Sequence, residues 1–347
     1  MIPTTLVLTN KDIQKLLSMK DTLRVVEDVF KAQGANKTQM PAKIYIKLHQ
    51  YNGDLRAMPA FIETTKACGI KWVSVYPENR KKGLPTTIAT IILNDARTGF
   101  PLAIMDGTYI TRMRTGAAGG IAAKYLARKD AKIIAMVGCG AQAESQLAAL
   151  NECFAFELVK VYGQRSLYAE DFIKRMQGLK LKMAVSKTVR ECVQDADIVV
   201  TTTPSRKPLV RLEWLKKGAH INAIGADSKG KEELEPAILK KAKVVIDDWS
   251  QAPSSGEINV PWSKGLISKK DIHATLGEIV LRRKPARINK DELTVFDSTG
   301  LAIQDVSCAQ FAYFQALKKN IGKKVNIIAV KSAKLSNSLP GNVIFKK

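Results

Sequence analysis

The sequence predicts an α/β protein whose second half is a doubly wound parallel sheet. Three observations support this fold class. The chain has 347 residues, which at about 150 residues per domain corresponds to two domains. After residue 130, short apolar strand candidates alternate with helical stretches, a pattern typical of a parallel sheet covered on both faces. Residues 1 to about 115 form a separate compositional unit in which several strands follow one another.

The first unit is predicted to begin with a helix and continue with strands. Apolar residues recur at helical spacing over 12–30. Ile44, Ile46 and Leu48 alternate with other residues, which indicates a half-buried strand over 41–48. Apolar, mostly β-branched runs predict further strands at 70–75, 87–93 and 101–106, and an Ala/Gly-rich helix is expected over 116–126.

The second unit is predicted to contain seven strands, at 132–137, 158–162, 182–185, 198–202, 220–224, 244–247 and 294–296. The apolar positions of 305–320 predict a helix that returns to the first unit. The tail at 331–347 is rich in turn and linker residues, and we expect it to be mobile.

The composition favours small anionic ligands over nucleic acid or membrane. The formal net charge is +23, but the longest basic runs are two or three residues and aromatic residues make up only 6% of the chain. We therefore expect no specific nucleic-acid binding. The longest uncharged apolar stretch, 83–94, is too short to span a bilayer, so no membrane association is expected.

The cysteines and histidines indicate a cytoplasmic protein without a metal site. The five cysteines are scattered and contain no C-x-x-C pair, which is typical of a reducing compartment. The N-terminal segment shows no signal-peptide pattern. The three histidines share no ligand spacing, so we assign no metal-binding residue.

A glycine-rich turn after the first strand of the second unit predicts a dinucleotide-binding site. The order is strand, G-x-G-x-x-A, then an Ala/Leu-rich helix, which is the context this fingerprint requires. Phosphates would lie at the N-terminus of that helix, where unpaired N–H groups and the helix dipole favour anions. The candidate residues are Gly138, Gly140, Ala141, Gln142 and Ala143.

The end of the next strand favours NADP over NAD. NAD sites place an acidic residue about 20 residues after the glycine turn, where it binds the ribose 2′-hydroxyl. Here the strand at 158–162 is followed by Gly163, Gln164, Arg165 and Ser166, without a carboxylate. A guanidinium and a hydroxyl suit a 2′-phosphate. The alternative is that Arg165 is an ordinary surface residue and that the site accepts either cofactor.

Long segments of the chain resemble the ornithine cyclodeaminase/μ-crystallin family, and within it the archaeal-type alanine dehydrogenases. Among them are GDLRAMPA at 53–60, RTGAAGG at 114–120, INAIGAD at 221–227 and FDSTGLAIQD at 296–305. The resemblance extends from about residue 5 to 328. It implies a homodimer in which a Rossmann dinucleotide-binding domain, 119–303, is inserted into an α+β substrate-binding and dimerisation domain formed by 1–118 and 304–330.

The resemblance identifies Lys71 and Asp227 as the catalytic acid/base pair. By pattern alone, Lys71 lies in an alternating strand and would point to solvent, and Asp227 follows a strand where it would cap the next helix. The carboxyl end of a parallel strand is also where doubly wound sheets bind ligands. In a partly buried pocket the pKa of a lysine falls, so that it can transfer a proton near neutral pH.

Three cations are candidates for binding the substrate carboxylate: Arg56, Lys43 and Arg114. Arginine offers a bidentate fork that fits a carboxylate. Arg114 and not Arg112 matches the family arginine, because T-G-A-A follows it. Cyclodeaminases carry an acidic residue two positions before Met-Pro, where this chain has Arg56, and a cation there would repel the δ-ammonium of ornithine. Pro41-Ala-Lys43 stands where the family commonly has Pro-x-Arg, which weakens the assignment of Lys43.

The resemblance also extends the cofactor site beyond the glycine turn. Thr115 is expected to contact a cofactor phosphate. The residues expected near the nicotinamide follow two strands and are Thr201, Thr202, Thr203, Ser298, Thr299 and Gly300. For the threonines, the alternative is that they only reflect strand propensity.

Together these residues predict an NAD(P)-dependent oxidoreductase. It would interconvert L-alanine, or a similar small amino acid, with its 2-oxo acid and ammonia by hydride transfer to an imine. The alternatives within the family are an ornithine cyclodeaminase, a ketimine reductase and a μ-crystallin-like protein that binds NADP and a ligand without useful turnover.

Overall fold

A computed structural model describes residues 3–329 of the chain. The predicted mobile tail at 331–347 lies outside these residues. Among residues 3–329, no helix is both long and apolar enough to cross a membrane.

The first part of the chain forms seven strands and three helices. In chain order they are β1 (Thr5–Leu8), α1 (Asn10–Leu16), α2 (Met19–Gly34), β2 (Thr38–Gln39), β3 (Ile44–Leu48), β4 (Gly53–Ile62), β5 (Ala67–Val75), β6 (Thr87–Asp95), β7 (Pro101–Asp106) and α3 (Thr108–Leu126). The strands predicted within 41–48, 70–75, 87–93 and 101–106 are all present. The helical pattern at 12–30 is divided into α1 and α2, because Ser18 caps the second helix by accepting from the Asp21 N–H.

The second part alternates strands and helices as predicted. It contains β8 (Ile133–Val137), α4 (Ala141–Asn151), β9 (Leu158–Tyr162), α5 (Ser166–Met176), β10 (Met183–Val185), α6 (Val189–Val193), β11 (Ile198–Thr201), β12 (Arg206–Val210), β13 (His220–Ala223), β14 (Glu232–Leu234), α7 (Pro236–Lys241), β15 (Lys243–Ile246), α8 (Ala252–Ser255), α9 (Asn259–Ser263), β16 (Ile272–Thr275), α10 (Leu276–Val280) and β17 (Thr294–Asp297). The chain then ends its described part with α11 (Ala302–Lys319) and β18 (Lys323–Val325).

Two eight-stranded sheets organise these elements. The first sheet has the order β18-β1-β7-β6-β5-β4-β2, with β3 also paired to β4, and its pairs are antiparallel except for β1 with β7. The second sheet has the order β10-β9-β8-β11-β13-β17-β15-β16, and every pair in it is parallel. This second sheet is the predicted doubly wound arrangement.

Apolar packing covers both faces of the parallel sheet and one face of the first sheet. Alternate residues of the parallel strands, such as Val199 and Val200, enter separate apolar clusters on opposite faces. Helix α11 packs on β4, β5 and β6, and α3 contacts α11 as well as α4 and the parallel strands β13 and β17. The two helices therefore lie where side chains from both sheets can meet.

The outer face of the first sheet corrects one expectation. β3 is a strand as predicted, but Ile44 and Ile46 are 62% and 48% exposed, so the alternating aliphatic residues face outward. They share that face with Trp72 and Ile88 through the cross-strand register. Tyr45 lies on the opposite face of β3, which is turned towards the rest of the protein.

Helix α3 begins eight residues before the predicted start at residue 116. Its first turns contain Thr111, Arg114 and Thr115, all of them buried. The sequence did not predict these turns because they contain polar residues, and the apolar periodicity begins only with the Ala/Gly segment. The same turns carry side chains that reach the candidate site.

Candidate functional site

Lys71 is buried, contrary to what strand alternation alone suggests. Its side chain is 1% exposed, and its ammonium lies 2.6 Å from Asp305 Oδ2 and 3.4 Å from the Thr111 hydroxyl. Burial, together with the nearby positive charge of Arg114, lowers the pKa of Lys71 to about 7. A lysine with this pKa can both donate and accept a proton near neutral pH.

Asp305 joins Lys71 to a second cation. It lies in the first turn of α11 and is completely buried, and its Oδ1 accepts from Arg114 Nε at 2.9 Å. Arg114 also donates to Gln304 Oε1 at 3.0 Å. A Cβ at Gly300 would lie 2.5 Å from Arg114 Nη1, so the loop after β17 passes directly against this guanidinium.

Arg56 forms ion pairs with two carboxylates. Its Nε donates to Asp54 Oδ1 at 2.6 Å, and its Nη1 donates to Asp227 Oδ2 at 3.0 Å. Lys231 lies 2.5 Å from the other Asp227 oxygen. Although burial alone would raise it, the pKa of Asp227 is held well below its usual range by Arg56 and Lys231. Asp227 is therefore a carboxylate in this arrangement.

Lys43 reaches the loop that follows the last parallel strand. Its ammonium donates to the Thr299 carbonyl at 2.5 Å. Burial, with a smaller effect of Arg56, lowers the pKa of Lys43 to about 8. The five candidates Lys43, Arg56, Lys71, Arg114 and Asp227 thus belong to one continuous cluster.

The glycine turn has the geometry of a phosphate-binding loop. Gly138 has a φ of +106°, and a Cβ there would lie 2.6 Å from the Thr202 hydroxyl, so the turn requires glycine. A Cβ at Gly140 would meet no atom within 4 Å, which leaves open space beside that backbone. Gly140 caps α4, and Ala143 is buried against the sheet.

Unpaired hydroxyls mark the place for the rest of a dinucleotide. Thr201 Oγ1, Thr202 Oγ1 and Ser298 Oγ are buried, and none of them has a hydrogen-bond partner among residues 3–329. They lie at the ends of β11 and β17, two parallel strands that are separated by β13. Buried polar atoms normally find a partner, so these atoms fit a bound group with hydrogen-bonding atoms of its own. The residues present therefore fit a nicotinamide dinucleotide.

Other predicted cofactor residues lie around the same edge of the sheet. Arg165 is the residue at the N-cap position of α5, and its side chain is exposed. Its guanidinium carbon lies 6.0 Å from the centroid of the Tyr168 ring. Gln164 and Ser166 beside it are also exposed. The Thr115 hydroxyl donates to the Thr111 carbonyl within α3, so its predicted contact with a phosphate stays a prediction.

Two neighbouring polar groups have structural partners. Arg112, the rival of Arg114, pairs with Glu144 and does not contact the cluster around Lys71. His220 is buried between Thr294 and Asn222, and burial lowers its pKa to about 3. Over residues 3–329, no group of three or more histidine, cysteine or acidic residues is arranged to hold a metal ion.

Four buried carboxyls support the loops around this site. Each of them accepts two backbone N–H groups: Glu233 those of Thr203 and Gly225, Glu257 those of residues 233 and 234, Asp297 those of residues 257 and 258, and Asp247 those of Thr299 and Gly300. Burial raises the pKa of Asp247 to about 6 and, with the charge of Asp247, that of Asp297 to about 8. The backbones of the loops that carry Thr203 and Thr299 are therefore both held by hydrogen bonds to these buried carboxyls.

Sequence reasoning did not single out Asp305 or Tyr45. Asp305 is an acidic residue among the apolar residues of α11. Acidic residues are rarely buried without a partner, so its position on the apolar face of a predicted helix could have indicated a functional role. Tyr45 lies between Ile44 and Ile46. The alternating pattern predicted that these two isoleucines face the core, and therefore that Tyr45 faces outward, whereas the structure shows the reverse.

Comparisons with known proteins agree on one family. The model of the ornithine cyclodeaminase/mu-crystallin family matches residues 4–320. The chain is 48% identical to an alanine dehydrogenase of Archaeoglobus fulgidus over 328 residues, which cover 94% of this chain and 99% of that protein.

Solved structures give the same result. An archaeal alanine dehydrogenase dimer with bound NAD has a TM-score of 0.90 and 49% identity, covering 94% of this chain and all of that one. A Delta(1)-pyrroline-2-carboxylate reductase of Thermococcus litoralis, in complex with NADH and L-proline, also has a TM-score of 0.90, with 40% identity, covering 92% of this chain and all of that one.

Proposed function

We propose that this chain, which belongs to the ornithine cyclodeaminase/mu-crystallin family, is an NAD(P)-dependent oxidoreductase that reduces the imine of a small 2-oxo acid. The substrate pair we favour is pyruvate with ammonia on one side and L-alanine on the other. The similarity to the Archaeoglobus alanine dehydrogenase over nearly the whole of both chains supports this choice.

The observation that carries the proposal is the buried Lys71 ammonium within the cluster of Lys43, Arg56, Arg114 and Asp227. Lys71 is held by Asp305 and Thr111 and has a pKa of about 7. A buried lysine of this kind, joined through Asp305 to Arg114, which lies against Gly300 in the loop after β17, supports proton transfer to a bound substrate.

The cations around Lys71 would orient the substrate. Arg56 is nearly completely buried, and its Nε and Nη2 pair with Asp54 while its Nη1 pairs with Asp227. A 2-oxo acid would bind the N–H groups of the guanidinium that remain. Lys43 and Arg114 would assist from the other side of the cleft, next to Thr299 and Gly300. Holding the acid in this way would bring its carbonyl carbon to a fixed position.

The acid/base steps are assigned to Lys71 and Asp227. Asp227 remains a carboxylate and would attract ammonium or the iminium nitrogen. Lys71 would protonate the departing hydroxyl as the carbinolamine loses water, and would take a proton in the reverse direction. A bound nicotinamide dinucleotide would supply the hydride.

We favour NADP as the dinucleotide. Arg165 and Ser166 are exposed at the position where NAD sites carry an acid, and the segment 158–166 contains no carboxylate. The solved relatives bind NAD and NADH, so each cofactor should be tested. A kcat/KM for NADPH below that for NADH would contradict this preference.

The function is tested by mixing the purified protein with pyruvate, ammonium and either reduced cofactor, and following cofactor absorbance. We expect ammonium-dependent oxidation and formation of L-alanine. No consumption, together with release of proline and ammonia from ornithine, would show a cyclodeaminase instead.

A second candidate is reduction of a cyclic imine such as Δ¹-pyrroline-2-carboxylate. The similarity to the Thermococcus reductase favours it, and the same carboxylate-binding cations would serve. Turnover of this compound without ammonium, faster than that of pyruvate with ammonium, would select this candidate. A binding protein of the μ-crystallin kind would retain cofactor affinity and show neither turnover.

We further propose a cytoplasmic homodimer with the domain division given by the resemblance. The five cysteines are all free, as a reducing compartment requires. The archaeal relative is a dimer, and the outward face of β3 to β6 carries exposed apolar side chains that a second copy could cover.

A further inference from the structure

A tyrosine hydroxyl inside the cleft has no partner. Tyr45 lies on β3, and its hydroxyl oxygen is fully buried without a hydrogen bond to any of residues 3–329. The hydroxyl of Ser255 lies beside it and donates its own proton to the Gln251 carbonyl. The Ser255 oxygen does not accept from Tyr45 in hydrogen-bonding geometry, so the phenol has no acceptor among the described residues in this arrangement.

The ring of Tyr45 is fixed against the proposed carboxylate-binding arginine. Tyr45 and Arg56 are direct cross-strand partners, and the Arg56 guanidinium lies 5.2 Å from the ring centroid. Burial raises the pKa of Tyr45; the positive charge of Arg56 opposes this effect, and Asp227 and Asp54 reinforce it. The hydroxyl therefore keeps its proton, and the ring packs against the arginine that pairs with Asp227.

An unpaired buried hydroxyl destabilises a protein unless something binds it. Leaving such a group without a partner costs about 1–3 kcal/mol, so native structures rarely keep one without a reason. Within this cleft the neighbouring side-chain charges are already paired with each other, as Arg56 is with Asp54 and Asp227. A bound ligand with a free acceptor would supply the missing partner.

We propose that Tyr45 is a substrate-binding residue whose hydroxyl donates to the carboxylate of the 2-oxo acid held by Arg56. The inference rests on the proposed function and adds a neutral donor to its cationic site. Tyr45 would also select against substrates that lack a carboxylate, because its hydroxyl would then stay unpaired.

The test compares Tyr45→Phe with Tyr51→Phe, a control that removes the hydroxyl of an exposed tyrosine just after the same strand. In the pyruvate reaction, we expect Tyr45→Phe to raise the KM for pyruvate about tenfold or more, since a hydrogen bond to a charged group is lost. The kcat should stay within about twofold, and the Tm of the free protein should be unchanged or higher. The control should match the wild type throughout.

Binding without turnover gives an independent measurement. Pyruvate, and acetone as an analogue without a carboxylate, are titrated into protein saturated with oxidised cofactor. Tyr45→Phe should weaken pyruvate binding by the same factor and leave acetone binding unchanged.

Three outcomes would overturn the assignment: an unchanged affinity for pyruvate, an equal loss for acetone, or a lower Tm with weaker cofactor binding. Failure of the proposed function looks different, because the wild type itself would then neither turn over nor bind pyruvate.

Discussion

At the scale of single residues, the cleft depends on charges that are buried in pairs. Lys71 and Arg114 share one carboxylate, that of Asp305, and Arg56 lies between two. Removing one member leaves a buried charge without compensation, which destabilises a protein far more than losing a surface pair. Variants at these positions should therefore keep the shape of the side chain and be checked for stability.

Lys71→Met tests the acid/base assignment. Methionine keeps the length of the side chain but cannot transfer a proton, so kcat for reductive amination should fall by about 100-fold or more. The Kd for the reduced cofactor, measured by its fluorescence, should change less than about threefold because the glycine turn is untouched. Turnover within a few-fold of the wild type would exclude Lys71 as the acid/base.

The same variant tests the depressed pKa of Lys71 through stability. The folded pKa is about 7 and the ordinary value is 10.5, so between them the unfolded chain binds more protons. This group therefore makes the free energy of unfolding increase as pH rises from about 7 towards 10.5. In urea denaturation at several pH values, the free energy of unfolding of the wild type should therefore increase relative to that of Lys71→Met as pH rises over this range; a constant difference would contradict the depressed pKa.

Arg165→Asp tests the preference for NADP. An aspartate at the end of β9 would repel a 2′-phosphate and could accept from a ribose 2′-hydroxyl. The ratio of kcat/KM for NADPH to that for NADH should fall by about tenfold or more. Arg190→Asp, in the next helix of the same domain, is the matched surface control. An unchanged ratio would mean that Arg165 does not contact the cofactor.

At the scale of elements, periodicity predicted the parallel sheet better than the antiparallel one. All seven strands predicted after residue 130 are present, since strands buried on both faces read as short apolar runs. β4 was not predicted, because it contains Asp54, Arg56 and Pro59. Asp54 and Arg56 compensate each other as an ion pair, and Pro59 lies between the parts of β4 that pair with β3 and with β2.

The candidate site could be assembled only in part from the sequence. Glycine spacing and strand ends indicated where a dinucleotide would bind, and the family resemblance selected Lys71 and Asp227. The contact between Lys71 and Asp305 joins residues 234 positions apart, and no local pattern encodes such a pair. The burial of Lys71 likewise depends on α11 covering β5, which is a tertiary feature.

The buried carboxyls behind the strand ends should make stability fall as pH rises. Asp297 has a folded pKa of about 8 against an ordinary 3.8, so between these values the folded protein binds more protons than the unfolded chain. Asp297→Asn keeps the shape and cannot ionise. Its free energy of unfolding relative to the wild type should therefore increase with pH, by up to about 1 kcal/mol per pH unit. A constant difference between about pH 5 and pH 8 would show that Asp297 does not titrate there.

At the scale of the whole molecule, the uncovered face of the first sheet defines the proposed dimer. The cross-strand register places Ile46, Leu55, Ser74 and Ile88 in one row on that face, and Trp72 lies in the adjacent row. Helix α11 covers the opposite face of β4, β5 and β6. Exposed aliphatic and aromatic side chains in neighbouring rows form a patch of the kind that marks protein–protein contacts.

Charges introduced into this patch should separate the dimer without unfolding the chain. The chain has a mass of 38.2 kDa, so light scattering should give twice that value for the wild type. Trp72→Lys combined with Ile88→Lys should lower the mass towards that of a monomer, because unpaired ammonium groups would be buried against a second copy. Ile288→Lys, an exposed isoleucine outside this sheet, should leave the dimer intact. A double variant that stays dimeric would place the interface on another surface, and a monomeric wild type would contradict the dimer itself.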